Sequence, residues 1–499
     1  MSPLIAEQGV SIPEHLSADL MGISPALLVF AAALFIVVWE AIVRPADRRI
    51  YRSIGLATVT LALGLTFGVQ AKAHGAAFSG MVRFDDYGVL FNAIFLVSAG
   101  LTLAISHDYL EQVKVRVGEY YGLALFSLFG MMMMGIANDL ILLFVALEVM
   151  SLGFYVMSAL RRDHQASVES GFKYFIMGAF ASGLLLYGIS LLFGATGTTT
   201  IDGIRDAVAA GNHGALLLTG MGLVMAGFSF KVAAVPFHMW APDVYQGAPT
   251  PVTGYMATGV KAASFAAFGR VMFVAFLGLK EEWAIPLWLV AAATMLLGNL
   301  AALAQRDLKR MLAYSSIAHA GYVLMGVVAV DGHAVDANGQ VSGILFYLFS
   351  YTFMTLGTFA VLSLMVKDGE EHTDLSSIRN LGKTHPWMAA GLTLCLLSLA
   401  GIPPTMGFVG KFYLFAAAVR GGYTSLAVIG AISGAVGVYY YLRPIVLMYM
   451  QDDEESFTLR PGPAVAGVLA ISGIALLFLG LHPGDLLELC RAGVASLAG

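Results

Sequence analysis

Charge is scarce in this chain. Only 12% of its 499 residues are Asp, Glu, Lys or Arg, about half the share found in an average soluble domain. Beside a hydrophobic content of 58%, that shortage excludes a disordered chain, a coiled coil and a soluble multidomain enzyme. So much apolar surface could not be hidden from water, and the solvent must be lipid. Lys and Arg number 27 against 32 Asp and Glu, a net charge of −5 with no polybasic run, so nucleic acid is excluded as a partner. Cysteine is nearly absent: Cys395 and Cys490 stand alone, without a C-x-x-C. This excludes a disulfide scaffold and leaves no cysteine-ligated cluster or metal site of the usual spacing. No G-x-G-x-x-G follows a strand-like run, so no nucleotide site is indicated. The first twenty residues carry Glu7, Glu14 and Asp19 but no Lys or Arg. A signal peptide opens on a basic stretch, so the first apolar run is expected to stay as an anchor.

What the chain has in abundance is long apolar runs. A helix needs about 20 such residues to cross the hydrocarbon. Fourteen runs qualify, near 24–43, 52–71, 86–106, 117–136, 139–160, 168–194, 215–245, 250–275, 284–304, 310–330, 341–366, 386–420, 424–448 and 463–482. They lack the period-two alternation of a barrel strand. The expectation is an all-α polytopic membrane protein of about fourteen transmembrane helices. Basic residues collect on alternate loops, sixteen on one side (among them Arg44, Arg48, Lys114, Arg116, Arg161, Lys309 and Arg460) against seven on the other (among them Arg83, Arg205 and Arg270). The richer side reads as cytoplasmic, which places both termini outside.

Four basic residues remain: Lys173, Lys231, Lys261 and Lys411, each inside an apolar run. A charge at the bilayer centre costs about 2.5–3.5 kcal/mol on insertion scales. Lys173 lies where a side chain can snorkel to the interface; the other three lie deeper.

Two runs are interrupted. Lys231-Val-Ala-Ala-Val-Pro236 and Gly401-Ile-Pro403-Pro404 each place proline where a helix has to open. They fall in spans seven and twelve, five apart. Spans four to eight and nine to thirteen therefore form two blocks, each with its fourth helix broken, and the odd offset inverts one relative to the other. Paired breaks in an inverted repeat point to an ion pathway. The expected divisions are 1–116 (spans one to three), 117–280 (first repeat, helix 7 broken near Lys231–Pro236), 281–450 (inverted second repeat, helix 12 broken near Pro403–Pro404) and 451–499 (span fourteen).

Glu148 is a carboxylate within an apolar span. Burial disfavours the charged form of acid and amine alike, and pairing restores both charges. Glu148 is expected to partner Lys231, as a shiftable proton site or as a static ion pair. Lys261 has no acidic neighbour at helical spacing and suits a relay, or else a lipid headgroup pocket. Lys411 follows the second break and is expected to face freed carbonyls, as a proton group or as a stabiliser of the break. His238 and His319 either pass protons between lysines or are core histidines. On these residues alone, the reading is proton or cation movement.

The stretch from Lys231 to Val252, with Ala-Pro-Asp-Val-Tyr and Gly-Ala-Pro inside it, closely resembles the signature of the antiporter-like membrane subunits of respiratory complex I, the proton-pumping NADH–quinone oxidoreductase. Arg306–Gly321 and Ala400–Lys411 match the same family, and the resemblance covers essentially the whole chain. It implies that Glu148 and Lys231 form the proton-input pair, Lys261 the central relay and Lys411 the output group, with His238 and His319 on the polar axis and Lys173 beside it. It implies no cofactor on this chain, with NADH, FMN, iron–sulfur clusters and quinone used in other subunits. It also implies neighbouring antiporter-like and small membrane subunits as partners, in a bacterial inner membrane. A cation/proton antiporter subunit of the sodium-resistance type shares the fold and the lysines, but the Ala-Pro-Asp-Val-Tyr variant disfavours it. A purely structural spacer is disfavoured because apolar residues would serve it better than four lysines.

Overall fold

Backbone groups in lipid have to be satisfied within the chain, and here helices do it. The computed structural model describes residues 14–45, 47–115, 117–211, 213–331, 335–336, 339–451, 459 and 461–497. Arg116 and Arg460 of the loop count lie outside them. In chain order the helices are α1 (Glu14–Gly22), α2 (Ser24–Ile42), α3 (Arg49–Gly68), α4 (Asp86–Gln112), α5 (Val117–Ile136), α6 (Leu140–Ser158), α7 (Gln165–Thr196), α8 (Ile201–Ala209), α9 (Ala215–Lys231), α10 (Trp240–Gly247), α11 (Thr250–Tyr255) and α12 (Lys261–Arg270). They continue with α13 (Lys280–Leu303), α14 (Leu308–Val328), α15 (Gln340–Leu362), α16 (Leu381–Thr384), α17 (Pro386–Ala400), α18 (Met406–Arg420), α19 (Thr424–Met450), α20 (Pro463–Leu481) and α21 (Gly484–Ala495). Among the described residues, eleven helices are long and apolar enough to cross a bilayer. The chain is an all-α polytopic membrane protein.

Two of the apolar runs are segmented and a third changes pitch. Run 215–245 is α9, an irregular stretch from Val232 to Met239, then α10; run 386–420 is α17, a turn, then α18. Each gap contains its expected prolines, and each has one cis X–Pro peptide, Val235–Pro236 and Pro403–Pro404. Run 250–275 is continuous but changes pitch twice, with π-helical segments at Met256–Val260 and Val271–Ala275 on either side of α12.

Helices α14 and α15 form the centre, each 94% buried over its apolar window, whereas α2 and α20 are 28% buried and face outward. Polar residues of α14 and α15 therefore meet protein, the setting in which intramembrane polar groups are tolerated. Close approach of α13 to α14 depends on glycine: a Cβ at Gly298 would lie 2.6 Å from the Ala318 nitrogen, and one at Gly321 2.8 Å from the Met295 nitrogen. Small residues at helix crossings allow such backbone contact.

The bundle has two differently built ends. At one, strands β1 (Gly75–Ala77) and β2 (Val82–Phe84) pair beside the N-termini of α4, α6 and α8. These helices are capped by the side chains of Asp85, Asp139 and Thr200, which accept from free helix N–H groups. At the other end, strands β3 (Val366–Lys367) and β4 (Glu370–Glu371) make a hairpin. Its two-residue turn puts Asp368 at φ 55° and Gly369 at φ 84°, the doubly positive geometry for which Asp-Gly is suited. The hairpin delivers Glu371 into the end of the bundle.

Candidate functional site

Each deep lysine sits where a helix is interrupted or changes pitch. Lys231 is the last residue of α9, where partial negative charge from free carbonyls favours a cation. Its Nζ donates to Ser151 Oγ at 2.8 Å and Tyr155 Oη at 3.3 Å, both on α6. The expected Glu148–Lys231 ion pair is not formed among the described residues. Glu148 accepts from Ser182 Oγ of α7 at 2.5 Å instead. The reason lies in α6: Glu148, Ser151 and Tyr155 share one helix face, and the two hydroxyls are nearer the ammonium. Glu148 is still close enough for its charge to act on Lys231.

Lys261 is the first residue of α12, just after a π segment, a device common at functional positions. It is 2% exposed. It donates to the Ser316 carbonyl at 2.6 Å and to the Ser316 hydroxyl, both on α14. No carboxylate faces it among the described residues. The hydroxyls of Tyr245 and Tyr351 also lie against Ser316. One residue back on α14, Ser315 is hydrogen-bonded to Tyr441 Oη, which lies 2.8 Å from His319 Nε2. The other ring nitrogen of His319 meets Tyr347 Oη. His319 is buried among four tyrosine rings, and the charges of both Lys261 and Lys411 act on it.

Lys411 lies on the second turn of α18. Its Nζ donates to the carbonyls of Leu399 (2.8 Å) and Ala400 (3.1 Å) at the C-terminus of α17 and sits 5.1 Å over the Tyr322 ring. Gly401 turns the chain at φ 85°, and a Cβ there would meet the lysine side chain at 2.9 Å.

Two expected residues stand apart from this row. His238 lies in the irregular stretch, partly exposed, and its Nδ1 has no partner among the described residues. Lys173 is not a lysine isolated in lipid: it bonds Glu169 at 2.6 Å and Asp243 at 2.7 Å, and Arg310 takes the other Asp243 oxygen at 2.7 Å. Its place near the start of α7 lets it reach a cleft of about 390 Å³ lined by charged side chains.

Two buried cations escape the sequence reading because it assigns them to loops. Arg270 forms a two-armed contact with Asp85 (2.5 and 2.9 Å) and also bonds the Gly135 carbonyl. Lys309 bonds Glu371 Oε2 at 2.7 Å and the Ala248 carbonyl at 2.5 Å. Glu371 also accepts from Tyr109 Oη and from Thr250 N and Oγ1. The signal for Arg270 was available, since it lies inside run 250–275; Lys309 gives none, because it borders its run.

The family model described as NADH:quinone oxidoreductase/Mrp antiporter, transmembrane, matches residues 137–437. An NADH-quinone oxidoreductase subunit N from Trichlorobacter lovleyi is 46% identical over 422 residues, covering 84% of this chain and 85% of the relative. Another, a subunit N 1 from Herpetosiphon aurantiacus, is 39% identical and covers 96% of this chain and 99% of the relative. A chain of respiratory complex I from Thermus thermophilus superposes with a TM-score of 0.79 at 33% identity, over 94% of this chain and 100% of that one. A chain of the Mrp complex from Dietzia shares the fold, with a TM-score of 0.82 at 22% identity over 96% and 97% of the two chains. With lysines set at both helix interruptions inside the matched region, the chain belongs to the NADH:quinone oxidoreductase/Mrp antiporter transmembrane family.

Proposed function

We propose that this chain is a membrane subunit that moves protons in a proton-pumping NADH–quinone oxidoreductase, with NADH oxidation and quinone reduction carried out by other subunits. The observation that carries the reading is that Lys231, Lys261 and Lys411 are held by neutral oxygens rather than by carboxylates. Hydroxyls and carbonyls solvate an ammonium without fixing its charge. Moving a charge on a neighbour then decides whether each lysine keeps its proton.

In this reading Glu148 collects a proton beside Lys231. Lys261 is the relay, and the Ser316–Ser315–Tyr441–His319 network links it toward Lys411, the output group. His319 serves as a polar link between the two lysines it faces. His238 lies at the rim of the input site, and Lys173 tunes that end through Asp243. The chain has fourteen spans in all, counting each segmented run as one. Its divisions are 1–116, 117–280, 281–450 and 451–499, with the middle two as inverted repeats. Both termini lie outside a bacterial inner membrane, and further membrane subunits of the complex pack against its sides. No group on this chain carries electrons, and the energy arrives as an electrostatic or conformational signal.

The test is Lys261→Ala in the assembled enzyme, read by proton pumping in vesicles energised with NADH. Coupled pumping should fall at least about tenfold, in line with loss of a proton-transfer group. Unchanged pumping in a fully assembled variant would refute the relay. Cation/proton antiport in vesicles without NADH would favour the antiporter reading instead.

A further inference from the structure

The outer face of the α6–α7 pair carries a groove that the proton path does not use. Leu152, Val156, Leu160 and Phe175 form its walls and Tyr155 lies at its floor, around a volume of about 400 Å³. From Leu152 to Leu160 it follows about 12 Å of helix at 1.5 Å per residue. Its one charged lining residue is Arg162, at the end where α6 leaves the apolar region.

Arg162 and Leu160 also line a second cleft, of about 410 Å³, between the α4–α5 connection, the α6–α7 connection and the β3–β4 hairpin. This cleft is polar and of mixed sign. Arg161 and His164 there are engaged with Glu370. Arg162, Lys114, Asp163 and Asp368 have no hydrogen bond or ion pair through their side chains among the described residues. An oily groove thus opens into a pocket holding unpaired charges of both signs.

We propose that this continuous feature binds one phospholipid whose headgroup carries both a phosphate and a primary ammonium, as in phosphatidylethanolamine. An acyl chain fills the groove beside Leu152, Val156 and Phe175. The phosphate meets Arg162 and Lys114, charge-assisted contacts of the strong kind. The ammonium meets Asp163 and Asp368. An anionic lipid without an ammonium would leave both carboxylates unanswered, which makes the zwitterionic headgroup the better match. The chain would also cover the ring of Tyr155, whose hydroxyl holds Lys231. The bound lipid therefore seals that lysine's outer side against water. This inference needs only the bilayer and does not depend on the pumping assignment.

The test uses the whole enzyme reconstituted in vesicles containing phosphatidylethanolamine and phosphatidylglycerol, each in turn carrying a photoreactive acyl chain. Peptides holding Val156 and Phe175 should be labelled about fivefold more by the ethanolamine lipid, the selectivity expected from one or two charge-assisted contacts. Arg162→Gln, or Asp163→Asn with Asp368→Asn, should bring the two lipids to equal labelling while leaving assembly on a native gel unchanged. Should the charge variants fail to assemble, Leu152→Trp, which fills the groove from its lipid side, should abolish the labelling by itself. Equal labelling by both lipids in the unaltered enzyme would mean ordinary boundary lipid and would overturn the proposal. So would cross-links showing the groove filled by a helix of a neighbouring subunit.

Discussion

Arg270 and Lys309 near the two ends of the bundle are buried as completely as Lys231 and Lys261 between them, at 1% and 0% exposure against 3% and 2%. Yet the first two each touch a carboxylate, and the other two touch only hydroxyl and carbonyl oxygen. A buried pair with good geometry locks both charges and makes removal of either partner costly. A cation solvated by neutral oxygens keeps its place while its proton remains exchangeable. The contrast teaches that equal burial can hold two kinds of cation, and that the chemistry of the partner separates them.

Four experiments would break or sharpen that contrast. The largest effect belongs to Arg270→Ala, which among the described residues leaves the buried Asp85 carboxylate with only the Gly88 N–H and Arg83 at 3.9 Å. Loss of one member of a buried pair costs about 3–5 kcal/mol, so the chain should be nearly absent from assembled complex on native gels. Arg270→Met combined with Asp85→Asn should recover part of it, because Asn removes the stranded charge and keeps the cap on α4. Lys231→Met comes next. It breaks no ion pair, since Lys231 bonds Ser151 and Tyr155 while Glu148 keeps its bond from Ser182, so assembly should persist while pumping drops at least about tenfold; failure to assemble would place Lys231 with the locked cations. Ser316→Ala removes one of two acceptors of Lys261 and keeps the carbonyl. The cost of one hydrogen bond, about 1 kcal/mol, should slow coupled turnover several-fold with no change in abundance.

The smallest effect is the pH response of Glu371, in the hairpin beyond the spans. Burial pushes its carboxyl up, but the Lys309 ammonium, with Tyr109 and Thr250, outweighs this and holds it below the usual 4.5. The folded chain therefore binds fewer protons there than the unfolded one. The stabilisation is complete above about 4.5 and is lost as pH falls through the folded value. Melting temperature scanned from neutral to acid should drop in that range, and less so in Glu371→Gln.

The helical bundle and the three deep lysines were legible because a lone charge in an apolar run stands out, as does proline in its middle. Partners were not legible. Ser151, Ser316 and Tyr441 are ordinary residues of apolar helices, and nothing in the chain distinguishes the serine opposite an ammonium from one facing lipid. The Glu148–Lys231 ion pair does not form because Ser151 and Tyr155, on the same face of α6, lie nearer the ammonium, an offset along the helix that depth in a run does not resolve. Asp85 lies 185 positions from Arg270 and Glu371 62 from Lys309, beyond any local pattern. For Lys173, the partner Glu169 four residues back on α7 is legible at helical spacing, whereas Asp243 arrives with α10, after the break.

The π segment at Met256–Val260 has a mechanical corollary. A π turn holds one residue more than an α turn, so it takes up an extra residue while the flanking helix keeps its phase. Deleting one residue there should let the run close up as plain α-helix with Lys261 still opposite Ser316. The segment is thus slack in the rod, a tolerance to indels that a regular α turn, at about 100° per residue, lacks.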